Sequence, residues 1–341
     1  MKVAINGFGR IGRLTLRAFL ESAEKYNFEI VAVNDLLEID SAVYLLKYDS
    51  LHGRLGSDVC KISENEFSVA GQNILCLSEK SPEMLPWRKL GVDLVLECTG
   101  VFKSRTACER HLNAGARKVL ISAPAENADR TVVFGVNEHT LSDADVVVSN
   151  ASCTTNCLAP IVKAIHGEIG LISGFMTTVH SYTGDQRLVD TNHRDKRRAR
   201  AAALSIIPTS TGAGEAIGKI FPDLEGKFCG LSVRVPTANV SLLDFTFRTA
   251  RKTSADEVNG IIVRHAGGDM NGVLGYTDEP LVSSDFNHSP LSSIVDLSLT
   301  KVVDGDVAHV AAWYDNEWGF SNRLLDVAAV MLRNSAKLSA N

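Results

Sequence analysis

A doubly wound α/β domain followed by an α+β domain is the fold that this 341-residue chain predicts. Three observations predict it. Short, uniformly apolar runs alternate with helical patterns through the first 150 residues. The texture then changes to strands in which apolar and polar residues alternate. The length itself suits two domains of ordinary size.

The elements follow in order. Val3, Ala4 and Ile5 form the first apolar run, and others occur at 30–33, 94–96, 119–121, 132–134 and 146–148. Runs without a polar face suit strands buried on both sides of a parallel sheet. Between the first two runs Ile11, Leu14, Ala18 and Phe19 recur at helical spacing. A helix is expected over 154–166, then strands near 172–180, 229–235, 239–249, 293–303 and 306–314. Over 243–249 every second residue is polar, which suits a sheet with one solvated face and a mostly antiparallel or mixed order. Leu324, Leu325, Ala328, Val330 and Met331 mark an amphipathic C-terminal helix returning to the first domain. The expected domains are thus 1–152, completed by 317–341, and 153–316.

Composition narrows the class. Hydrophobic residues make up 45% and charged residues 22%, so the chain can build a core and is not a disordered or coiled-coil sequence. A net charge of −5 and a pI near 6.0 disfavour a general polyanion binder. No run approaches the roughly 18–20 apolar residues of a membrane span, and the first residues have no signal-peptide layout. The seven cysteines are scattered without a CxxC pair, so neither a disulfide framework nor a zinc site is expected, and a reducing, cytoplasmic setting is. The one dense basic stretch, 194–200, lacks interleaved aromatics and reads as a solvated or intersubunit loop rather than a nucleic-acid surface.

Two segments carry chemistry. Residues 6–12, Asn-Gly-Phe-Gly-Arg-Ile-Gly, are a GxGxxG loop between the first strand and the first helix. Gly7 would permit the tight turn, Gly9 the approach of a pyrophosphate, and Gly12 close helix–strand packing. The second strand ends in Asp35, which can bind ribose hydroxyls and would repel a 2′-phosphate, favouring NAD over NADP. The first domain therefore reads as Rossmann-like and nucleotide-binding. A glycine turn in a plain βαβ unit is the alternative.

The second segment runs from the strand at 146–148 into the helix at 154. Cys153 falls at the helix start, where free N–H groups and the macrodipole favour a thiolate nucleophile and could hold an oxyanion. Cys157, one turn on, reads as core. From position alone Cys153 is either a nucleophile or another small buried residue. A thiol nucleophile needs a base, and His180, at a strand end before a polar turn, is the best placed of nine histidines.

Assembled, these residues resemble phosphorylating glyceraldehyde-3-phosphate dehydrogenases. The loop at 6–13, the segment 149–160, Pro208 to Ala213, Arg234 to Thr237 and Trp313 to Gly319 all carry the likeness, which spans nearly the whole chain. The resemblance implies an NAD-dependent oxidation of glyceraldehyde 3-phosphate to an acyl phosphate by a homotetramer, with inorganic phosphate as the second substrate. It implies Cys153 as nucleophile and His180 as its activator. Asn6, Gly7, Gly9, Arg10, Ile11, Asp35, Lys80, Thr99, Ser122 and Asn316 would contact the cofactor. Ser152, Thr154, Thr183, Arg198, Thr211, Gly212 and Arg234 would bind the two phosphates, and no metal is implied. Lys80, Thr191-Asn192 and Phe320 depart from the usual family pattern. Erythrose-4-phosphate dehydrogenase is the related alternative, and a non-catalytic thiol redox sensor the alternative from another class. A sensor has no use for two phosphate sites.

Overall fold

The computed structural model describes residues 1–338, with side chains to Arg333. It divides into two compact units, residues 1–151 together with the chain from Ser321 onward, and Ser152–Phe320. The last three positions of the expected C-terminal segment, 339–341, lie outside the described residues.

The first unit is built on a nine-stranded sheet. Its spatial order is Arg130–Thr131, Val147–Ser149, Lys118–Ile121, Leu94–Glu97, Lys2–Asn6, Glu29–Asn34, Gln72–Leu77, Glu66–Val69 and Val59–Ser63. The first seven are parallel, and Val3, Ala4, Ile5, Val95, Leu96 and Leu120 are fully buried, as unbroken apolar runs require. Helix Arg10–Glu21 follows the glycine loop directly. Gly7 has φ of +94°, and a Cβ there would lie 2.5 Å from the Thr99 amide nitrogen. A Cβ on Gly12 would meet the Gly7 carbonyl oxygen at 2.1 Å. Only glycine fits at either place.

Two sequence expectations need correction. The apolar run 132–134 is not a strand, because the sheet ends at Thr131 and the Val133 amide donates to the Asn137 side chain (2.8 Å) inside a turn. The sheet is also not wholly parallel. Residues 59–77 add three strands, two of them pairing antiparallel with their neighbours. Ala70 (φ +51°) and Gly71 (φ +77°) form the two-residue turn that such a hairpin demands.

Arg10 Nη1 pairs with Asp49 Oδ2 at 2.7 Å. Burial pushes the Asp49 carboxyl up, but the amides of His52 and Leu51 together with Arg10 outweigh it and hold the group at about 2. Its contribution to stability, about 2–3 kcal/mol for a shift of this size, is therefore complete above the ordinary carboxylate value and is lost as pH falls toward 2. Asp49→Asn should destabilise the chain by that amount in denaturant melts at pH 7. The difference should shrink steadily below pH 4.

Helix Trp318–Leu338 carries the chain into this unit. There Asp326 accepts from the Tyr26 hydroxyl (3.1 Å), and the carbonyl of Met331 accepts from Lys118 Nζ (3.4 Å).

The second unit holds a seven-stranded mixed sheet in the order Ile207–Thr209, Phe228–Val235, Leu171–Ser181, Ser241–Thr249, Val307–Tyr314, Ser293–Val303, Leu274–Thr277. Four of its six pairings are antiparallel. Leu243, Phe245 and Phe247 point into the core, while the intervening Thr246 and Arg248 are exposed. Helix Cys153–Ile169 buries Cys157, Leu158, Ile161, Val162 and Ile165 completely. Phe175, Leu231, Leu299, Val303 and Val307 remain exposed, as do Leu188, Leu204 and Ile206 in the long connection after Ser181. No helix among the described residues is long and apolar enough to cross a membrane.

Candidate active site

In the second unit the site grows from the start of one helix and the ends of two strands. Ala151 has φ of +56°, a left-handed turn that swings the chain off the strand Val147–Ser149. Ser152 then caps the helix, its Oγ accepting from the Thr155 amide (3.0 Å), which leaves Cys153 as the first helical residue. His180 lies near the end of strand Leu171–Ser181, in parallel register with Arg234 on the neighbouring strand.

These placements bring Cys153 Sγ to 3.5 Å from His180 Nε2, within hydrogen-bond reach for sulfur. The other ring nitrogen fixes the tautomer. Nδ1 approaches the Ser181 carbonyl at 2.7 Å, closer than the 3.2 Å to Arg234 Nη1, so Nδ1–H donates to that carbonyl and the Nε2 lone pair faces the sulfur. Arg234 Nη1 donates to the same carbonyl (3.1 Å) and to Thr183 Oγ1 (3.4 Å). Burial pushes the His180 imidazole down to about 3, helped by the charge of Arg234. Burial also pushes the Cys153 thiol up, against the pull of Arg234 and the N–H donors of the helix start. The helix start thus favours negative sulfur, as its position in the sequence suggests, while enclosure opposes it.

Tyr314 is the residue that sequence reasoning missed. Its hydroxyl lies 2.9 Å from Thr154 Oγ1 and 2.8 Å from Thr178 Oγ1, and its ring stands edge-on to His180 at 6.0 Å. It ties helix, histidine strand and its own strand into one wall. Its place in the segment from Trp313 to Gly319 was the only signal. Cys157 is buried beneath, donating to Ser293 Oγ (3.4 Å), with its thiol pushed up by burial to about 12.

The remaining anion-binding candidates of this unit fall into two groups. Thr183 and Arg234 adjoin His180. Arg198 lies apart, donating to Asp185 (2.5 Å), Thr209 Oγ1 (2.9 Å) and the Ser210 carbonyl (3.4 Å). Thr211 and Gly212 follow that segment, Thr211 Oγ1 accepting from the Ala213 amide and Gly212 opening helix Ala213–Ile220. Asn316 is buried, its Oδ1 accepting from Ser181 and Ser241 (2.9 Å each).

In the first unit a cleft of about 560 Å³ opens at the carboxyl ends of the strands, where a doubly wound sheet binds its ligand. Asn6, Gly7, Gly9, Asp35, Lys80 and Thr99 all line it. A dinucleotide fits this cradle. The Cβ position of Gly9 is open, with no atom within 4 Å, so a phosphate can approach the backbone. The first helical turn leaves amides without intrahelical partners. Asp35 Oδ2 accepts from the Phe8 amide (2.6 Å) and Oδ1 from Leu37 (3.1 Å), which fixes the carboxylate at the strand end. Arg10, Ile11 and Ser122 are not among the lining residues, and the Arg10 side chain is held by Asp49.

Known proteins match this arrangement along its length. A family model described as the NAD binding domain of glyceraldehyde 3-phosphate dehydrogenase matches residues 1–105, and one for that enzyme's C-terminal domain matches 152–316. Relatives named glyceraldehyde-3-phosphate dehydrogenase include the chromosomal protein of Cupriavidus necator, 53% identical over 97% of this chain and 98% of its own. Those of Zymomonas mobilis and Geobacillus stearothermophilus are 53% and 50% identical over 98% and 96% of this chain, and over 99% and 97% of theirs. The chain belongs to the glyceraldehyde-3-phosphate dehydrogenase family. The glycine cradle thus lies in the segment matching the NAD-binding model of the glyceraldehyde-3-phosphate dehydrogenases, and the Cys153–His180 pair in that matching their C-terminal domain.

Proposed function

We propose that the chain oxidises glyceraldehyde 3-phosphate and captures inorganic phosphate to release 1,3-bisphosphoglycerate, through a thioester on Cys153. The observation that carries this reading is the 3.5 Å approach of Cys153 Sγ to a His180 nitrogen whose lone pair faces it. Sulfur attacks the aldehyde carbon, and the thiol proton goes to His180 Nε2. His180 Nε2–H returns that proton to the adduct's oxygen, forming the hemithioacetal hydroxyl, and takes it back as the hydride leaves. NAD, when bound, supplies the acceptor for the hydride that leaves the hemithioacetal. The thioester retains the energy of oxidation only if water is kept away, and the buried wall of Tyr314, Thr154 and Thr178 is suited to that. Inorganic phosphate attacks the thioester, and Cys153 leaves as thiolate and recovers the proton.

Two anion sites serve the two phosphates. Arg234 and Thr183 bind the substrate phosphate, while Arg198, Thr211 and Gly212, with Ser152 and Thr154, bind the attacking phosphate. Guanidinium, hydroxyl and amide are the donors that acceptor-only oxygens need. Arg234→Leu should raise the KM for glyceraldehyde 3-phosphate about 10- to 100-fold, the worth of one charged hydrogen-bonding partner, while unphosphorylated glyceraldehyde is affected far less. Steady-state kinetics with both aldehydes checks this.

Cofactor contacts of Asn6, Gly7, Gly9, Asp35, Lys80 and Thr99 belong to the same reading, as do backbone contacts of Arg10 and Ile11 and nicotinamide-side contacts of Ser122 and Asn316. So does the division into a cofactor domain of 1–152 completed from 317 and a catalytic domain of 153–316. We also infer a homotetramer, supported by the exposed apolar residues of the second unit, including those beside the basic stretch. A cytoplasmic setting is supported by seven cysteines that all stand as thiols. Erythrose 4-phosphate is the competing substrate. Assaying both aldehydes with and without phosphate decides between them, since this reading requires glyceraldehyde 3-phosphate turnover that depends on phosphate.

A further inference from the structure

Beneath the cleft of the first unit lies a carboxylate that no part of the reaction uses. Glu97 ends the strand Leu94–Glu97, is 1% exposed, and has no lysine or arginine partner among its hydrogen bonds. Four donors converge on it instead. Oε1 accepts from the amide and the hydroxyl of Thr99. Oε2 accepts from Asn6 Nδ2 (2.6 Å) and His111 Nε2 (3.1 Å).

The histidine is fully buried, and its role is fixed by a third residue. Trp87 Nε1 donates to His111 Nδ1 at 3.0 Å. An indole N–H can only donate, so Nδ1 carries the lone pair and the proton resides on Nε2, facing Glu97. The chain continues on the other side. Asn6 Oδ1 accepts from Asn34 Nδ2 (2.7 Å), so the ends of three adjacent strands are joined through side chains. Asn6, Asn34 and Thr99 line the cleft, whereas Glu97, His111 and Trp87 do not.

We propose that Glu97, supported by His111 and Trp87, is the positioning residue that presets the floor of the dinucleotide cleft by holding Asn6 and Thr99 in their binding geometry. A buried polar cluster is a poor way to gain stability, since well-packed apolar residues often do as well. It is an effective way to fix directions, because each of its lone pairs specifies where a donor must point. The amide of Thr99 is also the atom nearest to where a Cβ on Gly7 would stand, so the carboxylate sets the wall against which the glycine turn closes. The inference rests on the reading of this cleft as the NAD site.

Glu97→Gln keeps the shape but turns one oxygen into a donor that faces donors. NAD affinity should fall at least about tenfold, the effect of one buried unsatisfied group. The kcat at saturating NAD and the NAD-free alkylation rate of Cys153 should stay within about twofold of native. His111→Phe, which alters a residue that cannot touch the cofactor, should weaken NAD binding about threefold. The double variant should be no worse than Glu97→Gln alone, because both act through one carboxylate. NAD binding within twofold of native in Glu97→Gln would overturn the proposal. So would a kcat falling in step with affinity, or multiplication of the two effects in the double variant. Should Glu97→Gln fail to fold, His111→Phe with native affinity overturns it alone. If the native chain itself does not bind NAD, the reading of the cleft has failed rather than the role of Glu97.

Discussion

Cys153→Ser is expected to abolish the burst of NADH on mixing with NAD and glyceraldehyde 3-phosphate, and to cut kcat about 10,000-fold or more. The reason is chemical rather than steric. A serine hydroxyl in the same enclosure is far harder to deprotonate than a thiol, and its ester would not be a thioester poised for phosphate attack. Burial already pushes the Cys153 thiol up, and the same enclosure opposes ionisation of a weaker acid. NAD binding should be unchanged within about twofold, since Cys153 is not among the residues that line the cradle. Stopped-flow absorbance for the burst and a fluorescence titration for NAD separate the two outcomes. A serine variant that retained the burst would remove Cys153 from the chemistry.

His180→Asn should lower kcat about 100- to 10,000-fold, the usual worth of a positioned acid–base group. It should also slow alkylation of Cys153 at neutral pH and move the pH midpoint of that reaction upward. The sign follows from the surroundings of the sulfur. Enclosure raises the thiol, which means less thiolate at any given pH, and Nε2 is the acceptor that opposes this by taking the proton directly. With that acceptor gone, only Arg234 and the helix-start donors remain on the favourable side. The rate of reaction with iodoacetamide, followed from pH 5 to 10 in both chains, measures the shift. A midpoint that stays in place or moves downward would contradict the assignment of His180 as proton acceptor.

What could be read from the chain differs in kind from what could not. The glycine loop was legible because its demands are local. Gly7 needs a positive φ and Gly12 lies against a carbonyl, and both needs attach to one short motif between a strand and a helix. The strand pattern around Phe245 was legible because the period of two maps directly onto buried and exposed faces. The hairpins of 59–77 were not, since Glu66–Val69 is short and its burial follows from neighbours rather than from its own composition. The run at 132–134 misled because Val132 and Val133 are apolar and buried yet held by a turn.

Within the candidate site, Cys153 and His180 were suggested by position in an element, at a helix start and a strand end. Tyr314 and Glu97 act through partners distant in sequence. Tyr314 meets Thr154, 160 residues away, and Glu97 meets Asn6, 91 residues away. No spacing rule within a single chain marks such pairs. The burial that pushes the Cys153 thiol up was likewise unreadable, because it depends on how tightly the folded chain closes around the sulfur.

The most direct measurement is the chemical identity of the protein after one turnover without phosphate. Native chain, NAD and glyceraldehyde 3-phosphate are mixed in phosphate-free buffer, quenched in acid and examined by peptide mass spectrometry. The account predicts one 3-phosphoglyceroyl group per chain, on the peptide containing Cys153 and absent from Cys157, appearing with one equivalent of NADH and released when phosphate is added before the quench. An NADH burst with no acyl group on Cys153, or an acyl group carried by a different side chain, would contradict it.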